Sequence, residues 1–197
     1  HPLLDAAGIP YGAVEIFRDT STRVDALERI RELEGMAYVD ALTGLATRRF
    51  IDAQIQRKLD EMKRYGWPFG ILFMDLDRFK SINDTHGHAV GDKVLRVVAE
   101  TLIRSSRSFD VVGRWGGEEF LAVVSNVSAE MLGNIAQRSR VLIARSGVFM
   151  ELEEIRVTSS IGATMALPDD TPESLVSRAD ALLYSSKESG RNTVTVG

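Results

Sequence analysis

From Gly70 to Leu76 the chain reads Gly-Ile-Leu-Phe-Met-Asp-Leu, with Ile71 to Met74 apolar without a break. A strand with one wet face alternates apolar and polar residues, because successive side chains point to opposite sides. An unbroken run of this length instead describes a strand covered on both faces. The neighbouring segments supply the layers it needs. Arg48–Arg64 reads as a helix, and Gly91–Arg104 as another with Val94, Leu95, Val98 and Leu102 inward. Asp110–Trp115 and Phe120–Val124 read as a hairpin around Gly116-Gly117, a dipeptide suited to tight turns with positive φ. Ser128–Ala144 is a further helix, and Ile155–Ala166 alternates as a strand with Val157, Ile161, Ala163 and Met165 on one face. Thr171-Pro172-Glu173 opens a last helix with an N-cap, a first-turn proline and an acid. A final strand is expected near Thr193–Val196. The order βαββαβ predicts an α/β domain with one helix-covered sheet.

Composition removes several function classes. With no cysteine among 197 residues, disulfides, thiolate zinc sites and cysteine nucleophiles are excluded. The net charge of -4 offers no general attraction to nucleic acid or anionic membrane. No apolar run approaches the ~20 residues of a membrane span, and the first residues lack a secretory pattern. The expectation is a cytoplasmic protein with neither nucleic acid nor membrane as a direct partner. His1 reads as the start of a fragment with segments removed upstream.

Before Asp40 the chain reads differently. Residues 1–21 hold two short strand-like pieces, around Leu3–Leu4 and Ala13–Phe17, with Gly8 and Pro10 as the turn between them. From about Ser21 to Val39, Val24, Leu27, Ile30, Leu33 and Met36 form a drifting apolar stripe. This describes either a helix packed on its own domain or a short parallel coiled coil. The organisation expected is an upstream remnant over 1–21, a linker helix over 22–39 and the α/β domain over 40–197.

Two stretches of that domain carry chemistry. Asp75-Leu76-Asp77 ends the buried strand, where a carboxylate can leave the core while a rigid element holds it. An EF-hand loop could also begin this way, but Lys80 stands where its glycine belongs and His86 where its glutamate belongs. In Arg114-Trp115-Gly116-Gly117-Glu118-Glu119-Phe120, two glycines precede two carboxylates between apolar runs. Bent backbone with fixed acids beside it suits metal-held phosphates, and an acidic hairpin turn is the plain alternative.

Together with Asp40-Ala41-Leu42-Thr43-Gly44-Leu45 and Lys187-Glu188-Ser189-Gly190-Arg191-Asn192, these stretches resemble the GGDEF family of diguanylate cyclases, in its GGEEF form. The resemblance implies a nucleotide-cyclase-like fold with a ferredoxin-like βαββαβ core, its central, mostly antiparallel sheet flanked by helices. It implies condensation of two GTP into cyclic di-GMP by a homodimer, with Mg²⁺ or Mn²⁺ held by Asp75, Glu118 and the Leu76 carbonyl. Glu118 or Glu119 is the candidate for deprotonating the ribose hydroxyl. Gly116 and Gly117 would let the hairpin backbone lie close to the nucleotide. Lys80, Lys187, Arg191 and the backbone amides of Arg78 and Phe79 are implied at the phosphates, and Asn83 and Asp92 at guanine. Asp92 also reads as the N-cap of the helix that follows it. The string Arg107-Ser108-Phe109-Asp110 resembles the family's R-x-x-D site for inhibitory cyclic di-GMP, with Arg138 as a further arginine from the next helix.

Thr47 departs from the family pattern, which has Asn there, although Thr is equally an N-cap for Arg48. Asp5-Ala6-Ala7-Gly8 and Phe17-Arg18-Asp19 resemble the closing strands of a PAS sensor. Two rival readings stay open: a non-catalytic cyclic di-GMP receptor, and a GTP-sensing domain.

Overall fold

The structure, a computed structural model, describes residues 2–13, 38–150 and 154–197. The chain divides into a unit over residues 1–35 and a second over 36–197. In the first, β1 (Pro2–Leu4) pairs antiparallel with β2 (Pro10–Ala13). Asp5 Oδ1 accepts from the amides of Ala7 and Ile9, each at 2.9 Å, which closes the turn between them. Pro10 therefore opens the second strand rather than sitting in the turn, a position where proline costs no ladder bond. The remainder of the second expected strand and the expected linker helix up to residue 37 lie outside the described residues, and Val39, placed at the end of that helix, instead bridges antiparallel to Ala46.

The second unit is built on six strands: β3 (Ala46–Thr47), β4 (Phe69–Leu76), β5 (Val111–Gly116), β6 (Glu119–Ser125), β9 (Ser159–Met165) and β10 (Val194–Val196). Their order is β10-β9-β4-β6-β5-β3. Only the outer pairs, β10 with β9 and β3 with β5, are parallel. A small antiparallel hairpin, β7 (Gly147–Phe149) with β8 (Glu154–Arg156), lies outside this sheet.

Every residue of the central β4 is buried, and its alternate side chains enter two cores. Leu72, Met74 and Leu76 meet α3 (His88–Ser105) and α4 (Ala129–Arg145) through Val94, Leu95, Val98, Leu132 and Ile143. Ile71 and Phe73 meet α1 (Arg48–Tyr65) and α5 (Pro172–Glu188) through Ile51, Ile55, Leu175, Ala179 and Leu183. The sheet is thus flanked by helices on both faces, as the unbroken apolar run requires. No helix among the described residues is long and apolar enough to cross a membrane.

Local signals set most boundaries. Gly66, at φ 72°, ends α1 by donating to the Met62 carbonyl. Thr171 and Ser174 form a reciprocal capping box at the start of α5, with Pro172 in its first turn. One element was not expected, and two expectations need correction. A short helix, α2 (Phe79–His86), fills a stretch whose Ser, Asn, Asp and Thr are weak helix formers. Buried Phe79 holds it instead. Helix α3 begins at His88, so Asp92 lies within it and is not its N-cap. The single strand expected over Ile155–Ala166 breaks at Val157–Thr158 into β8 and β9.

One ion pair fixes the approach to α5. Arg178 donates to both oxygens of Asp170, at 2.9 and 2.6 Å, and also to Thr164 Oγ1 and the Met165 carbonyl. The Arg178 bonds are the main cause holding the Asp170 pKa down at about 2, against burial that opposes them. A carboxyl depressed in the folded state stabilises above its unfolded pKa and loses that contribution as pH falls through the folded value. The stability gap between wild type and Asp170→Ala should therefore shrink by about 2 kcal/mol between about pH 6 and pH 2. Urea unfolding of both proteins across that range measures it, and a constant gap would refute the assignment.

Candidate functional site

Asp75 is the penultimate residue of β4 and is 8% exposed. Its antiparallel partner on β6 is Glu119, so the two side chains leave the same face of the sheet. The Leu76 amide donates to the Glu118 carbonyl at 3.3 Å, which ties the end of β4 to the β5–β6 turn. That turn is Gly117-Glu118 rather than Gly116-Gly117, since Gly116 still pairs with Glu119 as the end of β5. Of the turn residues only Gly117 has positive φ, at 47°, the sign pattern of a II′ hairpin. Arg114 braces it, donating to the Gly117 carbonyl at 2.9 and 2.7 Å and meeting Asp40 at 3.4 Å. Burial alone would raise the Asp40 pKa, but bonds from Thr43 and the Arg114 charge hold it below the usual carboxylate range.

Among the described residues no group crowds the two glycines. A Cβ at Gly117 would meet nothing within 4 Å, and one at Gly116 only Glu119 Oε2 at 3.8 Å. The space over the hairpin is open. Burial first, and then the neighbouring acids, push the pKa values of Glu118 and Glu119 above the usual carboxylate range, while Lys187 pulls them back. Asp75 is likewise raised, chiefly by burial and further by Asp77, against Lys187 and Arg191.

Lys187, in the last turn of α5, places Nζ 2.8 Å from Asp75 Oδ2. Beyond it the chain makes a turn of three successive left-handed residues: Gly190 at φ 105°, Arg191 at 66° and Asn192 at 44°. For residues with a Cβ this costs roughly 1–2 kcal/mol each, and specific bonds hold the turn. The Asn192 amide donates to Asp77 Oδ2 at 2.9 Å, and Arg140 donates to the Asn192 carbonyl and Oδ1 at 3.1 and 2.7 Å. Asp77 also accepts from Thr158 Oγ1 at 2.6 Å and Ser160 Oγ at 2.7 Å. Sequence reading did not assign Asp77 or Arg140. The second carboxylate of Asp-Leu-Asp was the available signal for Asp77, whereas only folding brings Arg140 to Asn192.

Asn83 and Asp92 lie on the adjoining helices α2 and α3. A Cβ at Gly91 would collide with Asn83 Oδ1 and come within 3.2 Å of the Phe79 ring. Glycine at 91 therefore lets Asn83 rest against α3 one residue before Asp92. Arg78, left-handed at φ 57°, and Lys80 are exposed, whereas the Phe79 side chain points into the core.

Arg107 and Arg138 line one shallow cleft with Met131 and Asn134, and Arg138 donates to the Ser105 carbonyl at 2.9 Å. The Asp110 carboxylate accepts from the backbone amides of Arg107 at 3.2 Å and Ser125 at 3.3 Å. A further cleft, which sequence reading missed, lies between α1 and α5 beside Glu119. There the Arg48 guanidinium sits 4.4 Å from the centre of the Trp115 ring.

Among the described residues no three His, Asp or Glu side chains form a ready cage for a metal ion. Two carboxylates, Asp75 and Glu118, with the Leu76 carbonyl are nevertheless a hard-oxygen set of the kind Mg²⁺ uses when phosphate and water complete its shell.

Comparison with known proteins bears on this site. The family model described as diguanylate cyclase, GGDEF domain, matches residues 37–193. The response regulator PleD of Caulobacter vibrioides is 40% identical over 162 residues, covering 81% of this chain and 36% of PleD. Diguanylate cyclase A of Treponema denticola is 36% identical over 169 residues, covering 84% of this chain and 46% of that protein. The chain thus spans less than half the length of these curated relatives. The solved coiled coil and GGDEF domain of DgcB from Caulobacter crescentus, in complex with c-di-GMP, superposes with TM-score 0.83 at 31% identity. That match covers 91% of this chain and 96% of the DgcB chain.

Proposed function

Because the chain belongs to the GGDEF family of diguanylate cyclases, we propose that it condenses two GTP into cyclic di-GMP and two pyrophosphates. The observation that carries this reading is the gathering of Asp75, Glu118, Lys187 and Arg191 at one end of the sheet. In each of the two steps a ribose 3′-oxygen attacks an α-phosphorus, the bond to the β-phosphate breaks, and pyrophosphate leaves. Asp75, Glu118 and the Leu76 carbonyl would hold a divalent ion, which would supply charge neutralisation and orientation of the reacting oxygens. An ion there would compete with Lys187 for Asp75 and free the ammonium for phosphate. Lys80, Arg191 and the amides of Arg78 and Phe79 complete the phosphate contacts. Asp92 and Asn83 read guanine, because a carboxylate accepts the N1–H and N2–H₂ donors that adenine lacks. Glu118 or Glu119 takes the hydroxyl proton.

Each domain holds one GTP, so two domains must face each other, brought together by the segment over 22–39 acting as a linker. Residues 1–21 belong on this reading to an upstream sensor. Purified protein incubated with GTP and Mg²⁺ should yield cyclic di-GMP on chromatography, and no product would defeat the proposal.

The cleft between Arg107 and Arg138 supports a second role, inhibition by the product. Arg107 offers a two-pronged donor to a guanine edge or phosphate. Arg107→Ala should raise the concentration of added cyclic di-GMP needed for half inhibition about tenfold or more. Inhibition as strong as in wild type would remove this site. The same cleft would serve a non-catalytic receptor, but such a protein has no use for Asp75, Gly117 and Glu118 together.

A further inference from the structure

A cleft of about 320 Å³, within the range of small-ligand sites, opens beside the strand end. The turn after β4, helix α2, the β8–β9 junction and the left-handed turn at 190–192 enclose it. Its lining contains three guanidinium-bearing residues, Arg78, Arg156 and Arg191. Among the described residues the sole acid on that lining is Asp77, and its two oxygens already accept from Thr158, Ser160 and Asn192. The cleft is therefore cationic in a chain of net charge -4.

Arg156 has no role in the reading above. Its partner is Glu154, at 2.7 Å, with the two side chains 58% and 26% exposed. An ion pair so open to water contributes little and is readily exchanged for a stronger anion. Arg78 and Arg191 both sit in left-handed backbone, and the Arg191 turn is bonded to buried Asp77. Two of the three residues are thus held where they are at some conformational cost, as happens at ligand sites.

We propose that Arg156 extends the phosphate contacts of the cyclase reading into a polyphosphate seat, its guanidinium added to Arg191 and the Arg78–Phe79 turn on the same cleft. It would hold the terminal phosphates of the bound nucleotide and then the departing pyrophosphate. The location rests on the proposed cyclase reading, which puts Arg191 and the Arg78–Phe79 turn at phosphates. Arg156 becomes a substrate-binding residue that trades Glu154 for phosphate oxygens.

Calorimetric titration of the protein with inorganic pyrophosphate and Mg²⁺ tests the seat without requiring catalysis. Arg156→Ala should weaken pyrophosphate about tenfold or more and leave GMP affinity unchanged, since GMP lacks the terminal phosphates. Arg156→Lys should recover part of the loss, because it keeps the charge without the fork. In turnover, Arg156→Ala should raise KM for GTP more than it lowers kcat. Unchanged pyrophosphate affinity in Arg156→Ala, with an unchanged melting temperature, would overturn the proposal. Equal losses for pyrophosphate and GMP would overturn it as well, because they report general damage. Arg156-dependent pyrophosphate binding in a protein that makes no cyclic di-GMP would uphold the seat and refute the cyclase reading.

Discussion

Glu118→Ala is expected to lower cyclic di-GMP formation roughly 10²–10³-fold, the scale of losing a group that stabilises charge in the transition state. The residue occupies the turn that the Leu76 amide and Arg114 hold against the end of β4. Removing its carboxylate leaves Asp75 and the Leu76 carbonyl as the remaining protein donors of the proposed metal set. The change should cost the fold little, since Glu118 is half-buried at a turn and its carboxyl is disfavoured in its ionised form by burial and by Asp75. Product yield by chromatography and melting temperature together read the result. An unchanged yield, or a yield lost only through unfolding, would remove Glu118 from the machinery.

Gly162→Ala is expected to destabilise the domain by about 3 kcal/mol or more, at or beyond the upper end of overpacking costs. A Cβ there would stand inside contact distance of the Ala179 carbonyl oxygen and the Leu183 amide nitrogen. Both are backbone atoms of α5, and neither can swing aside as a side chain can. For a domain of this size the melting temperature should drop by roughly 6–12 °C. Because α5 carries Lys187, the protein that remains folded should also have this ammonium displaced from the strand end and lose activity with it. A melting temperature within a degree of wild type would mean that α5 has room to move. Gly117→Ala makes a useful contrast: its Cβ has open space, so its cost is that of positive φ alone, roughly 1–2 kcal/mol. The glycine of the motif is thus the more dispensable for folding, and the one on plain β9 the less.

That reversal marks a limit on what can be read from local pattern. Gly117 announces itself through the carboxylates beside it, whereas Gly162 sits in Ser-Ser-Ile-Gly-Ala-Thr-Met and carries no local mark of the helix lying on it. Helix α2 was likewise hidden, because its residues prefer turns and caps and its stability comes from burying Phe79. The hairpin slipped by one residue for a similar reason. Two adjacent glycines are both able to turn, and pairing of Gly116 with Glu119 decided which one does.

By itself the sequence determined that β4 would be covered on both faces, since four consecutive apolar side chains leave no face for water. It also marked two places where carboxylates could leave the core, because Asp75 lies where a buried run stops and Glu118 follows two glycines at which a hairpin is able to turn. Tertiary structure alone decided which of these groups touch. Lys187 reaches Asp75, Asp77 holds the turn bearing Arg191, and Arg156 shares a cleft with both Arg78 and Arg191. The physical reason is that strand and helix periodicities are local properties of the chain, whereas these contacts depend on strand register and helix packing between segments far apart in it.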